Sequence, residues 1–315
     1  ILAQGAASPT PRPWGRSAMA ADEPYALLLT PAGASGAAEP GVGVRDVRVR
    51  FGRAHGRKPH ARLDAEIDAC WARATEANTR IFDGSKFRLG RIGWAAGGGA
   101  VEVDLGLTGY KEYLGTNRLP EHARRRLERD GAADFGDHTA HLSNALGCEA
   151  VLVTSDQQVV MLRRSGAVAT HSGLYNGPSG HPEPSEAPAA EAWYRAGDEA
   201  GAAGAAAAAE AVPSELFDSV LREVHEETNV PRDALSEPRL IGCMADATGK
   251  PDLLFLVRTR LDAGGVRARF AEGAPEGWES DRLAFVPAVG CLAGCALPMT
   301  AVTRAALECL RRLPP

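Results

Sequence analysis

Glu215-Leu-Phe-Asp-Ser-Val-Leu-Arg-Glu-Val-His-Glu-Glu-Thr228, followed by Asn229-Val230, is the stretch from which the rest of the chain can be read. At about 100° per residue, Phe217, Val220, Leu221 and Val224 form one apolar stripe of a helix. Glu223, Glu226 and Glu227 fall in a neighbouring sector roughly 100° wide. Ser214 stands where an N-cap is expected, so the spacing predicts a helix over 215–228. Such a helix buries one face and presents three carboxylates beside it. Like charges this close repel. A hard, oxygen-seeking cation between them removes that cost, and Mg2+ fits because it takes carboxylate oxygens and keeps other positions for water or phosphate oxygens. Taken alone, the helix also reads as a solvated acidic face.

The residues around the helix narrow the choice. Arg222-Glu-Val-His-Glu-Glu-Thr-Asn-Val230 resembles the second half of the Nudix box, which runs Arg-Glu-apolar-any-Glu-Glu-any-Gly-apolar. Asn229 replaces the Gly, and Asn is the next most tolerant residue at a left-handed helix stop. The first half of the box, Gly then five residues then Glu, is present as Gly180 and Glu186. The low-complexity stretch Ala187–Pro213 separates the two halves, and an insertion ahead of a helix leaves the helix intact.

Further motifs point the same way: Ile81-Phe82-Asp83, Lys86-Phe-Arg-Leu89, Gly106-Leu-Thr-Gly-Tyr110, Leu114-Gly-Thr-Asn117, Leu162-Arg-Arg-Ser165 and Gly180-His-Pro-Glu-Pro184. From about Tyr25 onward the chain resembles the nucleotide-sugar diphosphatase subfamily of Nudix hydrolases, which includes animal Nudix motif 22 and plant Nudix hydrolase 9 and cleaves UDP-glucose and UDP-galactose. The resemblance implies an α/β/α Nudix sandwich preceded by a smaller N-terminal α/β domain. It also implies hydrolysis of a nucleotide-sugar to UMP and a hexose 1-phosphate with Mg2+, for which Mn2+ can substitute. It makes Glu223 and Glu227 metal ligands, Glu226 the remaining box carboxylate, and Arg222 the arginine that braces them. Phe82 and Tyr110 fall at nucleotide-sugar contacts, and Arg164, Asn176, His181 and Glu183 at positions around the substrate. Asn176 stands where the animal enzyme has an acid and Ser179 where the loop usually has Gly, which bears on sugar or base preference. GDP-mannose and ADP-ribose are the alternative substrates, and a non-catalytic nucleotide-sugar sensor is the alternative of another class.

Residue chemistry is compatible with these roles. Arg164 has a fork of donors suited to phosphate oxygens, and Phe82 and Tyr110 offer flat faces for a base or sugar. Asp134-Phe-Gly-Asp137-His138-Thr-Ala-His141 mixes metal-binding residue types but reads as a structural turn. His225 points away from the glutamate sector and is expected to be exposed. Glu279-Ser280 lies in a late loop that could close over the site.

Alternating and apolar runs predict strands at Tyr25–Thr30, Val44–Phe51, Lys86–Trp94, Val101–Leu107, Glu149–Thr154, Val159–Arg164, Arg239–Met244, Asp252–Arg260 and Arg282–Pro287. Helical spacing recurs over Arg62–Ala77, Glu121–Arg129 and Thr300–Arg312. The expected organisation is an extension or transit segment at 1–18, an N-terminal α/β domain at 19–142 that helps bind substrate, and a hydrolase domain at 143–315 with a flexible insertion at 187–213. A net charge of −5 argues against a general nucleic-acid or anionic-membrane surface. No run of about eighteen apolar residues predicts a membrane span. Six scattered cysteines read as reduced thiols of an intracellular, cytoplasmic protein, with Cys291 and Cys295 close enough to face each other on a helical turn. An organelle address remains open through residues 1–18, and oligomeric state is not legible.

Overall fold

The computed structural model describes residues 25–30, 40–79, 81–166, 171–197, 201–290, 292 and 295–314. The segment expected at 1–18 and Cys291 lie outside the described residues. In chain order the strands are β1 (Tyr25–Leu29), β2 (Val47–Phe51), β3 (Ser85–Trp94), β4 (Val101–Gly109), β5 (Gly147–Val153), β6 (Gln158–Arg164), β7 (Tyr175–Asn176), β8 (Ser179–Gly180), β9 (Arg239–Asp246), β10 (Pro251–Arg258) and β11 (Ser280–Pro287). The helices are α1 (Asp64–Ala77), α2 (Tyr110–Gly115), α3 (Glu121–Phe135), α4 (Pro188–Ala196), α5 (Gly201–Thr228), α6 (Ala263–Ala271) and α7 (Ala301–Arg312).

Two sheets result. The larger runs β1-β9-β10-β5-β6-β11, with β8 added to β5 and β7 to β6; the smaller runs β2-β4-β3. The parallel β5–β10 pair lies at the centre of the larger sheet, and its residues are buried almost throughout. That agrees with their near-continuous apolar sequence. Val151, Val153, Leu254 and Leu256 pack on one face with Ala305, Ala306 and Leu307 of α7. Cys148, Ala150 and Leu152 face the other way, toward Leu216, Val220 and Val224 of α5. Period-two alternation along β5 therefore feeds both layers of an α/β/α sandwich. The smaller sheet joins the α5-side core through Val47, Phe87, Leu89, Val103 and Leu105. Tyr25–Leu29, sequentially part of the 19–142 segment, pairs with β9 in the larger sheet.

The 187–213 segment, expected as a flexible insertion that alanine propensity could make helical in part, is more helical than that. It carries α4 and the first half of α5, and Pro213 sits inside the continuous helix. Ser214 is thus not a cap; its Oγ donates to the Glu210 carbonyl one turn back. The physical reason is a buried ladder. Ala208, Val212, Leu216, Val220 and Val224 recur at every fourth position and each is at most 1% exposed. Alanine propensity favours the same outcome. Trp193 and Tyr194 lie against Phe51, with ring centroids 5.9 and 5.2 Å away, and Arg53 Nε donates to the Tyr194 carbonyl at 2.8 Å. Trp193→Ala should therefore cost about 2 kcal/mol and several degrees of melting temperature. An unchanged thermal melt would show that α4 contributes nothing to the fold.

Candidate active site

The site is built where β5 and β6 splay apart and a hairpin-shaped β7–turn–β8 segment fills the gap, β8 pairing with β5 and β7 with β6 rather than with each other. Backbone N–H groups of this hairpin point at one row of glutamates on α5. Ser179 N donates to Glu227 Oε1 at 2.8 Å, His181 N to Glu223 Oε1 at 3.3 Å, and Glu183 N to Glu215 Oε1 at 2.8 Å. Residues 215, 223 and 227 share a helix face because they differ by multiples of four. Gly180 lies directly under Glu223, where a Cβ would fall 1.8 Å from Oε1. The first glycine of the motif is thus a close approach of strand to carboxylate.

Asn229 ends α5 in the left-handed region (φ 58°), its N–H donating to the His225 carbonyl at 2.8 Å and its Nδ2 to the Arg269 carbonyl at 3.1 Å. The Asn-for-Gly exchange is accommodated as expected. His225 is half-buried, a correction to its expected exposure: its Nδ1 lies 3.1 Å from the Val230 carbonyl, which the turn after the helix brings back over the ring.

Carboxylate oxygens of Glu223, Glu226 and Glu276 come within 4.8 Å of one another. Glu276 is held there by its own N–H, which donates to the Glu226 carbonyl at 2.9 Å. Glu227 sits one step deeper, 2% exposed, with Oε2 lacking any hydrogen-bond partner. Burial and then the charges of Glu226 and Glu276 push Glu223 up to about 7. Burial, with Glu223 and Glu279 nearby, holds Glu227 well above the usual carboxylate range; Glu276 is raised by burial and then by Glu279 and Glu226, and Glu279 by burial. Crowded oxygen donors of one sign and an orphaned buried oxygen fit a divalent cation. Sequence reading missed Glu276, and named Glu279 without a role.

Arg222 does not bond the box carboxylates as expected. Its Nη2 donates to Glu215 Oε1 at 2.8 Å, so it braces the glutamate that in turn holds Glu183 N. Glu186 lies close enough to act electrostatically on both Arg222 and Glu215. Arg164, at the end of β6, acts on Glu227 and Glu279 and favours their charged forms. Asn176 is 2% exposed; its Nδ2 donates to Ser179 Oγ at 2.8 Å and its Oδ1 is unpartnered, so it stiffens the hairpin from within. The His181 imidazole is held neutral by burial and by Lys250 and Lys86. Glu183 pairs with Lys86 of β3 at 2.5 Å, tying the smaller sheet to the hairpin.

Phe82 and Tyr110 lie at the Ser85–Gly109 end of the smaller sheet, before β3 and after β4. Phe82 is 77% exposed, and Tyr110 packs edge-on to Trp71 and against Tyr113. Asp83 Oδ1 accepts the Lys111 N–H at 2.9 Å and Tyr110 N donates to the Gly84 carbonyl, which keeps the two segments side by side. A cavity of about 560 Å³ opens there, lined by Arg57, Asp83, Ser85, Thr108 and Glu112 among others. The Asp134–His141 stretch is structural, as expected. Gly136 closes α3 at φ 68°, Asp137 Oδ1 accepts from Thr139, and His141 Nδ1 is 2.8 Å from the Lys58 carbonyl.

Glu149 was hidden inside an apolar strand. It is 1% exposed, Oε1 accepts the Gly177 N–H at 3.3 Å, Thr303 lies close to the carboxyl without a well-formed bond to Oε2, and burial pushes it up to about 8. Its folded value lies above the unfolded one near 4.5, so its contribution is complete below about 4.5 and is lost as pH rises to about 8. The melting-temperature advantage of Glu149→Gln over the wild type should therefore grow from pH 5 to pH 8 and then level. An advantage equal at every pH would contradict this.

Here an acidic helix meets a glycine-bearing strand segment, with a further glutamate brought over by a loop, an arrangement whose donor set fits a divalent cation and its phosphate ligands. The chain is 37% identical over 264 residues to uridine diphosphate glucose pyrophosphatase NUDT22 of Mus musculus, covering 82% of this chain and 80% of that protein. The Homo sapiens NUDT22 is 36% identical over 255 residues, 78% of this chain and 80% of that one. Nudix hydrolase 9 of Arabidopsis thaliana is 31% identical over 252 residues, 77% and 78% respectively. No family model matches the chain, whose box is interrupted between Glu186 and Arg222. Among solved structures, a Nudix hydrolase from M. smegmatis aligns over 53% of this chain and 81% of its own, at 13% identity and a TM-score of 0.32. The chain belongs to the Nudix hydrolase family.

Proposed function

We propose that this chain hydrolyses the diphosphate of a nucleotide-sugar, a UDP-hexose such as UDP-glucose or UDP-galactose, to a nucleoside monophosphate and a sugar 1-phosphate. The observation that carries the reading is the crowded carboxylate cluster of Glu223, Glu226 and Glu276 with Glu227 and its unpartnered Oε2 beneath it. That the mouse and human relatives are uridine diphosphate glucose pyrophosphatases supports the substrate.

In this reading Glu223, Glu226, Glu227 and Glu276 would hold Mg2+, with Mn2+ able to replace it. When bound, the cation neutralises charge on the diphosphate and lowers the pKa of a coordinated water. The protein's own residues do the positioning. Gly180 leaves room for Glu223, Ser179 N and His181 N fix two carboxylates, and Arg222 holds Glu215 so that the hairpin keeps its distance from α5. Arg164 supplies a cation toward the phosphate oxygens. Phe82 and Tyr110 offer ring faces to the base, which gives the 19–142 segment its part in binding and leaves the 143–315 segment the chemistry. His181, neutral and flanked by Lys86 and Glu183, would meet hydroxyls; a site built to bond hydroxyls discriminates strongly. We place the enzyme inside the cell, in keeping with free thiols at Cys70, Cys148, Cys243, Cys295 and Cys309. No described helix is long and apolar enough to cross a membrane.

Phosphorus NMR of a UDP-glucose digest with magnesium tests the reaction. UMP and glucose 1-phosphate are expected, and no products once a chelator is added. Binding without turnover would favour the sensor reading.

A further inference from the structure

Among the described residues, the loop between α6 and β11 carries a tryptophan whose exposure its backbone does not explain. Trp278 is 58% exposed, one of few large apolar side chains left to solvent. An exposed tryptophan forfeits a large burial gain, so its presence at a site rim is informative. The backbone around it is pinned from both sides. On one side Glu276 N donates to the Glu226 carbonyl of α5 at 2.9 Å. On the other, Ser165 N donates to the Glu279 carbonyl at 2.7 Å, and Ser165 Oγ to the Trp278 carbonyl at 2.7 Å. Glu279 N closes a turn onto the Glu276 carbonyl at 2.9 Å. Trp278 thus belongs to a clamped loop, following in sequence Glu276, which joins the carboxylate triad, and preceding Glu279, whose charge reaches Glu227.

Resting on the nucleotide-sugar reading above, we propose that Trp278 is a specificity-determining residue whose indole face receives the sugar ring on the far side of the diphosphate from the nucleoside. The surroundings choose the sugar over the base. Glu276 is taken up by the carboxylate cluster, but Glu279 beside it offers carboxyl oxygens that accept from a ligand edge rich in O–H donors. A hexose has several hydroxyls, whereas uracil offers a single N–H and two carbonyl acceptors. The C–H face of a pyranose is apolar and lies flat on an indole, while its rim of hydroxyls meets Glu279. Phe82 and Tyr110, on the smaller-sheet side, are left for the base. The two aromatic groups then mark the two ends of one extended ligand.

The test compares two substrates that share the scissile bond. UDP-glucose carries the ring; the terminal methyl ester of UDP keeps the diphosphate and lacks it. Trp278→Ala and Trp278→Leu should each lower kcat/KM for UDP-glucose about tenfold, mainly through KM. Both should leave the methyl ester within about twofold of wild type, and Trp278→Phe should retain most of the UDP-glucose rate because it keeps a flat ring. Equal losses on both substrates, or no loss on UDP-glucose, would overturn the assignment. Wild-type protein that cleaves no nucleotide-sugar would remove the underlying reading. Wild-type protein that cleaves UDP-glucose, with an unchanged substrate ratio in Trp278→Leu, would remove the Trp278 assignment alone.

Discussion

Glu223→Gln should lower magnesium-dependent turnover by a factor on the order of 10³ and, in the same preparation, raise the melting temperature of the metal-free protein at pH 8. Both effects come from one carboxylate. Glu223 shares the triad with Glu226 and Glu276, and burial beside those charges pushes it up to about 7. Its folded value lies above the ordinary one, so the stability it contributes is lost as pH rises through about 7. At pH 8 the wild type bears that ionised, crowded charge and the glutamine variant does not. Gln keeps an oxygen for His181 N, so the hairpin contact survives. Added magnesium should raise the wild-type melting temperature and barely move the variant's, since a ligand stabilises only the state that binds it. Glu227→Gln should behave alike: one oxygen still accepts from Ser179 N while the orphaned one is replaced. Near-normal activity in both variants would sink the metal assignment. A melting temperature lowered by several degrees would show instead that these carboxylates support the fold.

Gly180→Ala should cost about a hundredfold in turnover with little change in the thermal melt. A Cβ there would fall 1.8 Å from Glu223 Oε1 and 2.1 Å from its Cδ. The obstacle is the end of a long side chain, which can swing away. The fold escapes at small expense, but the carboxylate leaves the triad and His181 N loses its acceptor. Gly177 makes the contrast. A Cβ at that position would meet the Ala150 carbonyl oxygen at 2.3 Å, and backbone cannot step aside. Gly177→Ala should therefore lower the melting temperature together with activity. If Gly180→Ala kept full turnover, the close approach of strand and helix would have no part in catalysis.

Much of the site was legible because it lies on one helix. Spacing alone places Glu223, Glu226 and Glu227 beside an apolar stripe, and Asn229 marks the left-handed stop that the structure contains. The strands were legible wherever alternation or an apolar run was long. What escaped lies where contact is made across the chain. Glu276 sits in a loop with no period, and only its backbone bond to the Glu226 carbonyl brings it to the triad. Glu149 occupies an apolar strand and carries no local sign of its role beneath Gly177. Two readings could have been better. Ala208 and Val212 continue the fourth-residue ladder upstream of Leu216, so α5 announces itself inside the low-complexity stretch. Arg222 and Glu215 are seven residues apart, about two helical turns, and thus natural partners. Composition drew attention away from the first, and the box pattern from the second.

The most direct test is the specificity constant, with magnesium present, for UDP-glucose, UDP-galactose, GDP-mannose and ADP-ribose side by side. On the proposed reading, a ligand with a group at each end of the diphosphate would fill both the carboxylate site and the aromatic surfaces, and binding at those ends would help to position the reacting phosphorus. One of the two UDP-hexoses should lead, and activity should vanish with chelator. ADP-ribose leading by a wide margin would contradict the substrate assignment, and turnover indifferent to magnesium would contradict the role given to Glu223, Glu226, Glu227 and Glu276.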